Sequence, residues 1–294
     1  MNVSKILIAY DGSACSDAAL RDLRRAGLPA VADAHVLTVA DIILPPPDDE
    51  LTDEPAVRIP EVERHARVRA EKAEREARAV VERAAGRVRE EFSGWRVRPE
   101  VECDAPAWAV IKTADRLGVD LVVVGSHRHS VAGGRLILGS VSQRVLYEAG
   151  CSVRVARCSE ERREGPVRIV VGLNGTRQAE AAVEGAASRL WPEGSEARLV
   201  VAGEELDRDA RDAAAERLRA AGLNVSEFTR EGDPAHVLVQ EAEQWGADSI
   251  FVGTRGLHGF QHLLHGSVAS AVAARAQCSV EVVRPPEGAG QTQN

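Results

Sequence analysis

The chain has 294 residues, about twice the common size of a globular domain, so its length predicts two domains. Hydrophobic residues make up 44% and charged residues 28%, which excludes a disordered chain, and the formal net charge of -8 argues against a nucleic-acid-binding protein. No apolar run approaches the roughly 18 residues of a membrane-spanning helix and the first residues lack the apolar stretch of a signal peptide, so we expect a cytoplasmic protein.

Short strands alternate with stretches of helical spacing in the first half of the chain. Runs rich in valine and isoleucine predict strands near 5–10, 35–40, 95–102, 120–125 and 152–157. Because these runs are apolar on both faces and helices join them, they predict a parallel sheet covered on both sides.

A long insertion over about 41–92 distinguishes the first half. It opens with the run from Pro45 to Glu50, which continues neither a strand nor a helix. Helical spacing follows from Glu61 to Phe92, with charged pairs four residues apart at Glu71–Arg75 and Glu74–Arg78. The apolar stripe of this helix consists of Ala66, Ala73, Ala77, Val80, Ala84 and Val88. A partner-binding helix is one interpretation, and a solvated helix packed on its own sheet is the favoured one.

The second half predicts the same order of elements. Its strands fall near 168–173, 197–202, 224–229, 248–253 and 279–284. Trp108 and Trp245 lie in the third helix of each half, where we expect both rings to pack against the sheet. Cys103 and Cys278 fall at or beside strands, where a cysteine is usually a small core residue.

Five blocks recur in the same order in both halves, which indicates a tandem duplication. The matched blocks are Lys5–Ser13 with Arg168–Thr176, Leu37–Ala40 with Leu199–Ala202, Asp104–Ala107 with Gly232–Ala235, Gly118–Gly125 with Gly246–Gly253, and Leu138–Ser142 with His265–Ala269. The predicted fold class is α/β, with two tandem doubly wound five-stranded parallel-sheet domains over 1–160 and 166–285 and a flexible tail at 286–294. Ligands are expected at the carboxyl ends of strands where the strand order reverses.

The loop after the fourth strand of the second half has the chemistry of an anion cradle. The strand ends at Gly253-Thr-Arg-Gly256, nine residues follow, and Gly266-Ser267 opens a helix. Glycines let the backbone approach a phosphate closely, and the N–H groups that begin a helix favour an anion. The lysine of a P-loop is absent, because G-x-x-x-x-G-K-[ST] occurs nowhere in the sequence.

On these residues the chain resembles a tandem universal stress protein, over nearly all of its length outside the insertion and the tail. The resemblance implies an adenine-nucleotide-binding α/β fold of Rossmann-like or flavodoxin-like type. Its ATP-binding branch carries G-x2-G-x9-G-[ST], an aspartate after the first strand, and backbone atoms at the end of the second strand that contact adenine. In the second half the implied ATP ligands are Asn174, Val201, Gly253, Thr254, Arg255, Gly256, Gly266 and Ser267.

The corresponding residues of the first half are Asp11, Val39, Gly125, Arg128, Gly139 and Ser140. Each half departs from the family pattern at a different place. In the first half Arg128 replaces the second glycine, and ten residues then precede Gly139. The Arg128 side chain either blocks the close approach of a phosphate or meets its charge. In the second half Asn174 replaces the aspartate, and an amide hydrogen-bonds a ribose but gives a metal ion no negative charge.

Zinc and catalysis receive less support from the sequence. His258, His262 and His265 share one helical face, and His127 and His129 alternate in the first loop, but no nearby cysteine or acid completes a metal site. The five cysteines are odd in number and form no C-x-x-C pair, which disfavours disulfides and zinc. No nucleophile elbow or pair of catalytic carboxylates stands out, so we predict no catalytic residue.

The leading hypothesis is therefore an ATP-binding stress-response protein, a nucleotide-dependent regulator and at most a weak ATPase. Its predicted cofactor is ATP, with or without Mg²⁺, and its predicted partners are an adenine nucleotide and an unidentified protein. Neither nucleic acid nor a membrane is expected. The alternative is a nucleotide-free interaction scaffold of the same family. The two repeats are expected to pair within one chain as a pseudo-dimer, and whether whole chains also form a homodimer is left open.

Overall fold

The computed structural model describes residues 3–42, 60–126, 129–131, 135–157, 165–203, 206–254 and 268–285. The strands of the first half are β1 (Ser4–Ala9), β2 (Ala32–Ala40), β3 (Arg96–Cys103), β4 (Leu121–Ser126), β5 (His129–Val131), β6 (Arg135–Ile137) and β7 (Ser152–Arg157). Those of the second half are β8 (Arg168–Leu173), β9 (Glu196–Ala202), β10 (Asn224–Arg230), β11 (Ser249–Gly253) and β12 (Ser279–Val283). Each of the ten sheet strands expected from the sequence is present. The β5–β6 hairpin was not expected.

Helices join these strands in both halves. They are α1 (Ala14–Asp22), α2 (Pro60–Glu91), α3 (Pro106–Leu117), α4 (Ser140–Glu148), α5 (Arg177–Ala187), α6 (Arg208–Ala220), α7 (Pro234–Trp245) and α8 (Val268–Arg275). Proline at the start of α3 and α7 and left-handed glycines at their ends, Gly118 and Gly246, delimit the third helix of each half.

The two halves form one sheet of ten strands in the described residues, in the order β10-β9-β8-β11-β12-β7-β4-β1-β2-β3. Within each half the strands are parallel, and each half has the order 3-2-1-4-5. This is the Rossmann-type order rather than the flavodoxin-type order, in which the second strand is outermost. Strands β7 and β12 are antiparallel and join the halves.

The apolar core differs between the two faces of the sheet. On the face covered by α3, α4, α7 and α8, one buried cluster runs through both halves. On the opposite face, α1 and α2 cover one cluster in the first half, and α5 and α6 cover a separate cluster in the second. The predicted parallel sheet with helices on both sides is confirmed.

The long helix α2 matches its predicted span and packs on β2 and β3 of its own sheet. Its buried residues are Ala70, Ala77, Val81, Ala84, Ala85 and Val88, so the buried stripe lies close to the predicted one. The expected ion pairs are present, with 3.9 Å between Glu71 and Arg75 and 3.2 Å between Glu74 and Arg78. The helix is therefore packed on its own sheet, as favoured. The Pro45 to Glu50 run lies outside the described residues.

The prediction that Trp108 packs against the sheet is wrong, because its side chain is 47% exposed. The buried stripe of α3 runs through Ala107, Val110, Ile111 and Ala114, and Trp108 lies one position out of that phase. Trp245 is half-buried at the end of α7, and the Arg198 guanidinium lies 4.2 Å from its ring centroid.

Strand register corrects one block of the internal alignment. Ala9 pairs with Leu37 in the first half, and its counterpart Gly172 pairs with Val200 in the second. Leu37 is thus equivalent to Val200 rather than to Leu199, and a shift of one residue exchanges the faces of the sheet. Val39 and Val201, expected to be counterparts, therefore point to opposite faces.

Candidate functional site

The strand order reverses between β1 and β4 in the first half and between β8 and β11 in the second. Continuing the pairing of Ile8 with Val123 brings Tyr10 and Asp11 level with Gly125 and Ser126. In the second half the same step brings Asn174 level with Thr254. The carboxyl ends of these strands are where doubly wound sheets bind ligands. The structure thus brings predicted site residues together in both halves.

In the first half, Asp11, Gly12 and Ser13 form a tight turn between β1 and α1. Gly12 has a φ of +79°, and the Ser13 N–H donates to Asp11 Oδ1 at 2.9 Å. The Ser13 hydroxyl in turn accepts from the Ser16 N–H at 3.2 Å and caps α1. Partial burial acts to raise the pKa of Asp11, but hydrogen bonds from Ser13 and Ser16 outweigh it and lower the pKa. An ionised carboxylate therefore stands at the end of β1.

The second half builds the same turn from Asn174, Gly175 and Thr176. Gly175 has a φ of +71°, and Asn174 Oδ1 accepts from the Thr176 N–H at 3.2 Å and from its hydroxyl at 2.7 Å. Thr176 caps α5 by accepting from the Ala179 N–H at 3.3 Å. An asparagine oxygen performs this local role as well as a carboxylate does. What the change from Asp11 to Asn174 removes is the negative charge.

Backbone packing explains the glycine at the end of β4 and of β11. A Cβ added at Gly125 would lie 2.4 Å from the carbonyl oxygen of Cys15 in α1. At Gly253 it would lie 1.8 Å from the carbonyl oxygen of Gln178 in α5. Each helix therefore crosses directly over the end of the strand, and only glycine leaves room for it. The first glycine of the predicted cradle has a structural role in addition to its proposed one.

The beginning of α4 has no side-chain cap among the described residues. Gly139 precedes the helix and Ser140 is its first residue. The first N–H groups of α4 thus lack the internal acceptor that Ser13 gives α1. A phosphate at Gly139 and Ser140 stays a prediction for the first half.

The other predicted ligands divide into two groups. Val39 is half-buried at the end of β2, and Val201 is 3% exposed within the core under α5 and α6. Their roles toward adenine stay predictions. Arg128, Arg255, Gly256, Gly266 and Ser267 lie outside the described residues, as do the histidines His127, His258, His262 and His265.

An ionic contact between α1 and α2, next to Tyr10, is not indicated by any sequence pattern. The Tyr10 hydroxyl donates to Asp17 Oδ1 at 2.7 Å, and Arg87 of α2 forms an ion pair with the same carboxylate. The hydrogen bond from Tyr10, followed by the Arg87 contacts, lowers the pKa of Asp17. Burial and Asp17 together raise the pKa of Tyr10. Seventy residues separate Asp17 from Arg87, so no local pattern predicts the contact.

The inserted helix also borders the turn itself. A Cβ at Gly12 would lie 3.5 Å from Val80 of α2, whereas a Cβ at Gly175 would lie 2.7 Å from Leu206. The two candidate sites therefore have different neighbours. Within the part of the chain that the structure describes, no group of three histidine, cysteine, aspartate or glutamate residues could hold a metal ion, and no helix is long and apolar enough to span a membrane.

A cleft of about 790 Å³ lies away from these turns, between the end of α1, the end of α2 and the start of β12. Its charged lining comprises Arg21, Asp22, Arg24, Arg25, Arg87, Glu90, Glu91, Arg157, Glu243 and Asp248. Since arginines and carboxylates balance, this lining does not favour a nucleotide polyphosphate, and it contains no residue predicted to bind ATP.

The fold and the paired turns define a tandem, doubly wound α/β protein whose strand order reverses once in each half. The model of the universal stress protein family matches residues 2–157 and 190–284, so the chain belongs to that family. A universal stress protein of Mycolicibacterium smegmatis is 31% identical over 300 residues, which cover 95% of this chain and 97% of that one. One of Mycobacterium tuberculosis is 28% identical over 209 residues, 64% of this chain and 69% of its own.

Solved structures agree on the fold. A universal stress protein of Archaeoglobus fulgidus superposes with a TM-score of 0.69 at 20% identity, over 97% of this chain and 99% of that one. One of Pseudomonas aeruginosa gives a TM-score of 0.57 at 17% identity, over 96% and 94%. The chain is thus a tandem universal stress protein with two five-stranded repeats.

Proposed function

We propose that this universal stress protein binds ATP at the carboxyl ends of its strands and acts in the stress response as a nucleotide-dependent regulator. The observation that carries the proposal is the group formed by the Asp11 turn, the end of β4 at Gly125 and the uncapped start of α4. Backbone donors and an ionised carboxylate at one switch point suit a nucleotide phosphate and its Mg²⁺.

The proposed roles follow from the chemistry of each residue. Gly139 and Ser140 would offer N–H and hydroxyl donors to phosphate in the first half, and Gly266 and Ser267 would do so in the second. Asp11 would interact with Mg²⁺ or the ribose, whereas Asn174 would interact only with the ribose. Binding without turnover, or with slow hydrolysis, fits the lack of a recognisable nucleophile and base.

The first experiment denatures freshly purified protein and chromatographs the supernatant for adenine nucleotides, and calorimetry then measures ATP binding. We expect release of ATP or binding below millimolar concentration. If no adenine nucleotide is released and none binds at millimolar concentration, the proposal fails.

Exchanging the turn residues of the two halves provides matched variants. Asn174→Asp should make binding in the second half depend on Mg²⁺, and Asp11→Asn should remove that dependence in the first half.

A nucleotide-free interaction scaffold is the second candidate, and the exposed start of α2 favours it. Val68 is 57% exposed there, among charged residues that are largely in solvent. If the scaffold is correct, replacing Gly256 by tryptophan leaves partner binding unchanged. Loss of partner binding in that variant, together with loss of ATP, supports the nucleotide-dependent regulator instead.

A further inference from the structure

The two halves meet along a surface that we call the seam. It is formed by β7 and β12, by the last residue of α1 with the chain that follows it (Asp22–Leu28), and by the chain after α5 (Arg189–Trp191). Strands β7 and β12 pair antiparallel with Arg154 opposite Glu281. The Leu190 N–H donates to the Gly27 carbonyl at 2.8 Å. Both pairs join equivalent positions of the two repeats. Gly27 and Leu190 lie 22 residues after Lys5 and Arg168, and Arg154 and Glu281 lie 16 residues after Leu138 and His265, which open matched blocks. The seam therefore has pseudo-twofold symmetry.

The charges at the centre of the seam break this symmetry. Arg154 and Glu281 occupy the same position in their repeats but carry opposite charges, and they are 0% and 1% exposed. Arg154 Nη1 donates to Glu281 Oε2 at 3.3 Å. A buried ion stabilises a structure only when partners satisfy its polar atoms.

Each half supplies one residue of opposite charge for its own buried ion. Asp22 accepts from Arg154 Nε at 2.6 Å and from Nη2 at 3.2 Å, and both residues belong to the first half. Arg189 forms an ion pair with Glu281 Oε1, and both belong to the second half. One donor, Arg154 Nη1, and one acceptor, Glu281 Oε2, then face each other across the seam. Pairing two first halves would place donor against donor, and pairing two second halves would place acceptor against acceptor.

Shape adds a second, independent asymmetry. Gly27 has a φ of +61°, and a Cβ there would lie 2.9 Å from Cβ of Arg189 and 3.0 Å from the Trp191 ring. In the second repeat Leu190 takes the position of Gly27. The seam thus has room only for glycine at this position of the first half, whereas the second half carries a leucine at the equivalent position.

We infer that the seam is selective, so that the edge of a first half accepts the edge of a second half and rejects a copy of itself. The partner that fits this surface is the other half of the same chain or the corresponding half of a second copy. The inference does not depend on nucleotide binding.

Two charge reversals in the full chain test it. Arg154→Glu places two glutamates across the seam, and Glu281→Arg places two arginines there, so neither variant forms a native seam alone. When both variants are unfolded and refolded as a mixture, the first half of Glu281→Arg and the second half of Arg154→Glu together restore one native seam. We expect a one-to-one heterodimer at twice the 31.5 kDa chain mass by light scattering. Neither variant on its own should form a dimer of that mass.

The matched control is the pair formed by the half-buried Arg198 and the buried Glu241, both in the second half. Mixing Arg198→Glu with Glu241→Arg should give no heterodimer, because no native seam is missing. The inference is overturned if the seam variants give no heterodimer on mixing, if either one forms a homodimer, or if the control pair associates equally well.

Milder substitutions keep the inference testable if the reversals do not fold. Arg154→Gln and Glu281→Gln should each lower the folding equilibrium constant at least tenfold. If the two residues act as a pair, the fold-loss of the double variant should be at least ten times smaller than the product of the two single fold-losses. Independent losses contradict the charge argument.

The steric argument is tested by comparing Gly27→Ala with Gly118→Ala. Gly118 has a φ of +58°, and a Cβ there would meet nothing within 4 Å. Gly27→Ala should lower the constant at least tenfold more, and equal losses contradict the steric argument.

Discussion

At the scale of single residues, the geometry shared by the two turns gives Asp11 and Asn174 the same structural role. Asp11 and Asn174 both accept the N–H two residues further along the chain, and glycine with positive φ follows each of them. Either residue therefore builds the turn, and the two side chains differ in charge. Gly253 likewise has a role before any ligand binds, since α5 crosses the end of β11 against it.

Replacing Gly253 by alanine should destabilise the nucleotide-free protein by about 1–3 kcal/mol, because the new methyl group meets the backbone of α5 rather than a flexible side chain. Urea unfolding in nucleotide-free buffer measures the change. Gly86→Ala in α2 is the control: a Cβ there meets nothing within 4 Å, and alanine is the better helix former by about 1 kcal/mol. A Gly253→Ala protein as stable as the parent would contradict the packing role.

The sequence predicted which residues lie at the carboxyl edge of the sheet better than it predicted their contacts. Glycines and acceptors at strand ends identify the carboxyl edge of the sheet, because that edge follows from a parallel order. The contact of Gly253 with Gln178 and the ion pair of Asp17 with Arg87 join residues far apart in sequence. Such contacts depend on how helices cross the sheet, and periodicity carries no information on that.

At the scale of elements, α2 combines two kinds of surface. Its 32 residues extend about 48 Å, far longer than the strands it covers. The part around Val81 and Val88 is buried against the sheet, whereas Val68 is exposed. Its length therefore exceeds what packing on β2 and β3 requires.

Replacing a buried valine of α2 by alanine should lower the free energy of unfolding, whereas replacing an exposed one should leave it nearly unchanged. Val81→Ala removes two buried methyl groups and should cost about 1–3 kcal/mol of unfolding free energy. Val68→Ala should change stability by less than about 0.5 kcal/mol, since the side chain is in solvent and alanine favours the helix. Urea denaturation followed by circular dichroism tests both variants. Equal losses would mean that the start of α2 is packed as firmly as its end.

The Asp17 contact that joins α1 to α2 predicts a pH dependence. The folded pKa of Asp17 lies below its ordinary value, so its contribution is present above pH 4 or so and is lost as pH falls through the lowered pKa. Asp17→Asn keeps an acceptor for Tyr10 and loses the charge facing Arg87. We expect the variant to be up to about 1 kcal/mol less stable at pH 7, because the pair is partly exposed. The difference should shrink as the pH falls below about 4, and a difference independent of pH would contradict the prediction.

Element boundaries were predictable where a run of apolar residues has a single interpretation. The β5–β6 hairpin was missed because its six residues lie in a loop without a sheet-like apolar run. Trp108 was misplaced because an aromatic residue was assumed to be buried, although its helical phase points it outward. The register error between Leu37 and Leu199 arose because successive valines and leucines align equally well at either offset.

At the scale of the whole molecule, the continuous core under α3, α4, α7 and α8 joins the two repeats into one body. The opposite face has separate cores, and between them the seam holds Arg154 and Glu281. Duplication supplied the two halves, and divergence at the seam and in the turns made them different. The sequence revealed the repeats, but it did not reveal that equivalent positions meet across the seam.

This continuity predicts that both halves unfold together. Trp95 is buried in the first half, and Trp191 packs edge-to-face on Phe251 in the second, so each can report on one half when the other tryptophans are replaced by phenylalanine. Because Val153, Val155, Val280 and Val282 belong to one cluster, loss of either half exposes the core of the other. Urea transitions of the two single-tryptophan proteins should therefore coincide with each other and with the loss of circular dichroism. Circular dichroism of each variant also controls for the effect of the replacements. Separate midpoints for Trp95 and Trp191, each with a shallower slope than expected for the whole chain, would show that the repeats unfold independently and that the shared core does not couple them.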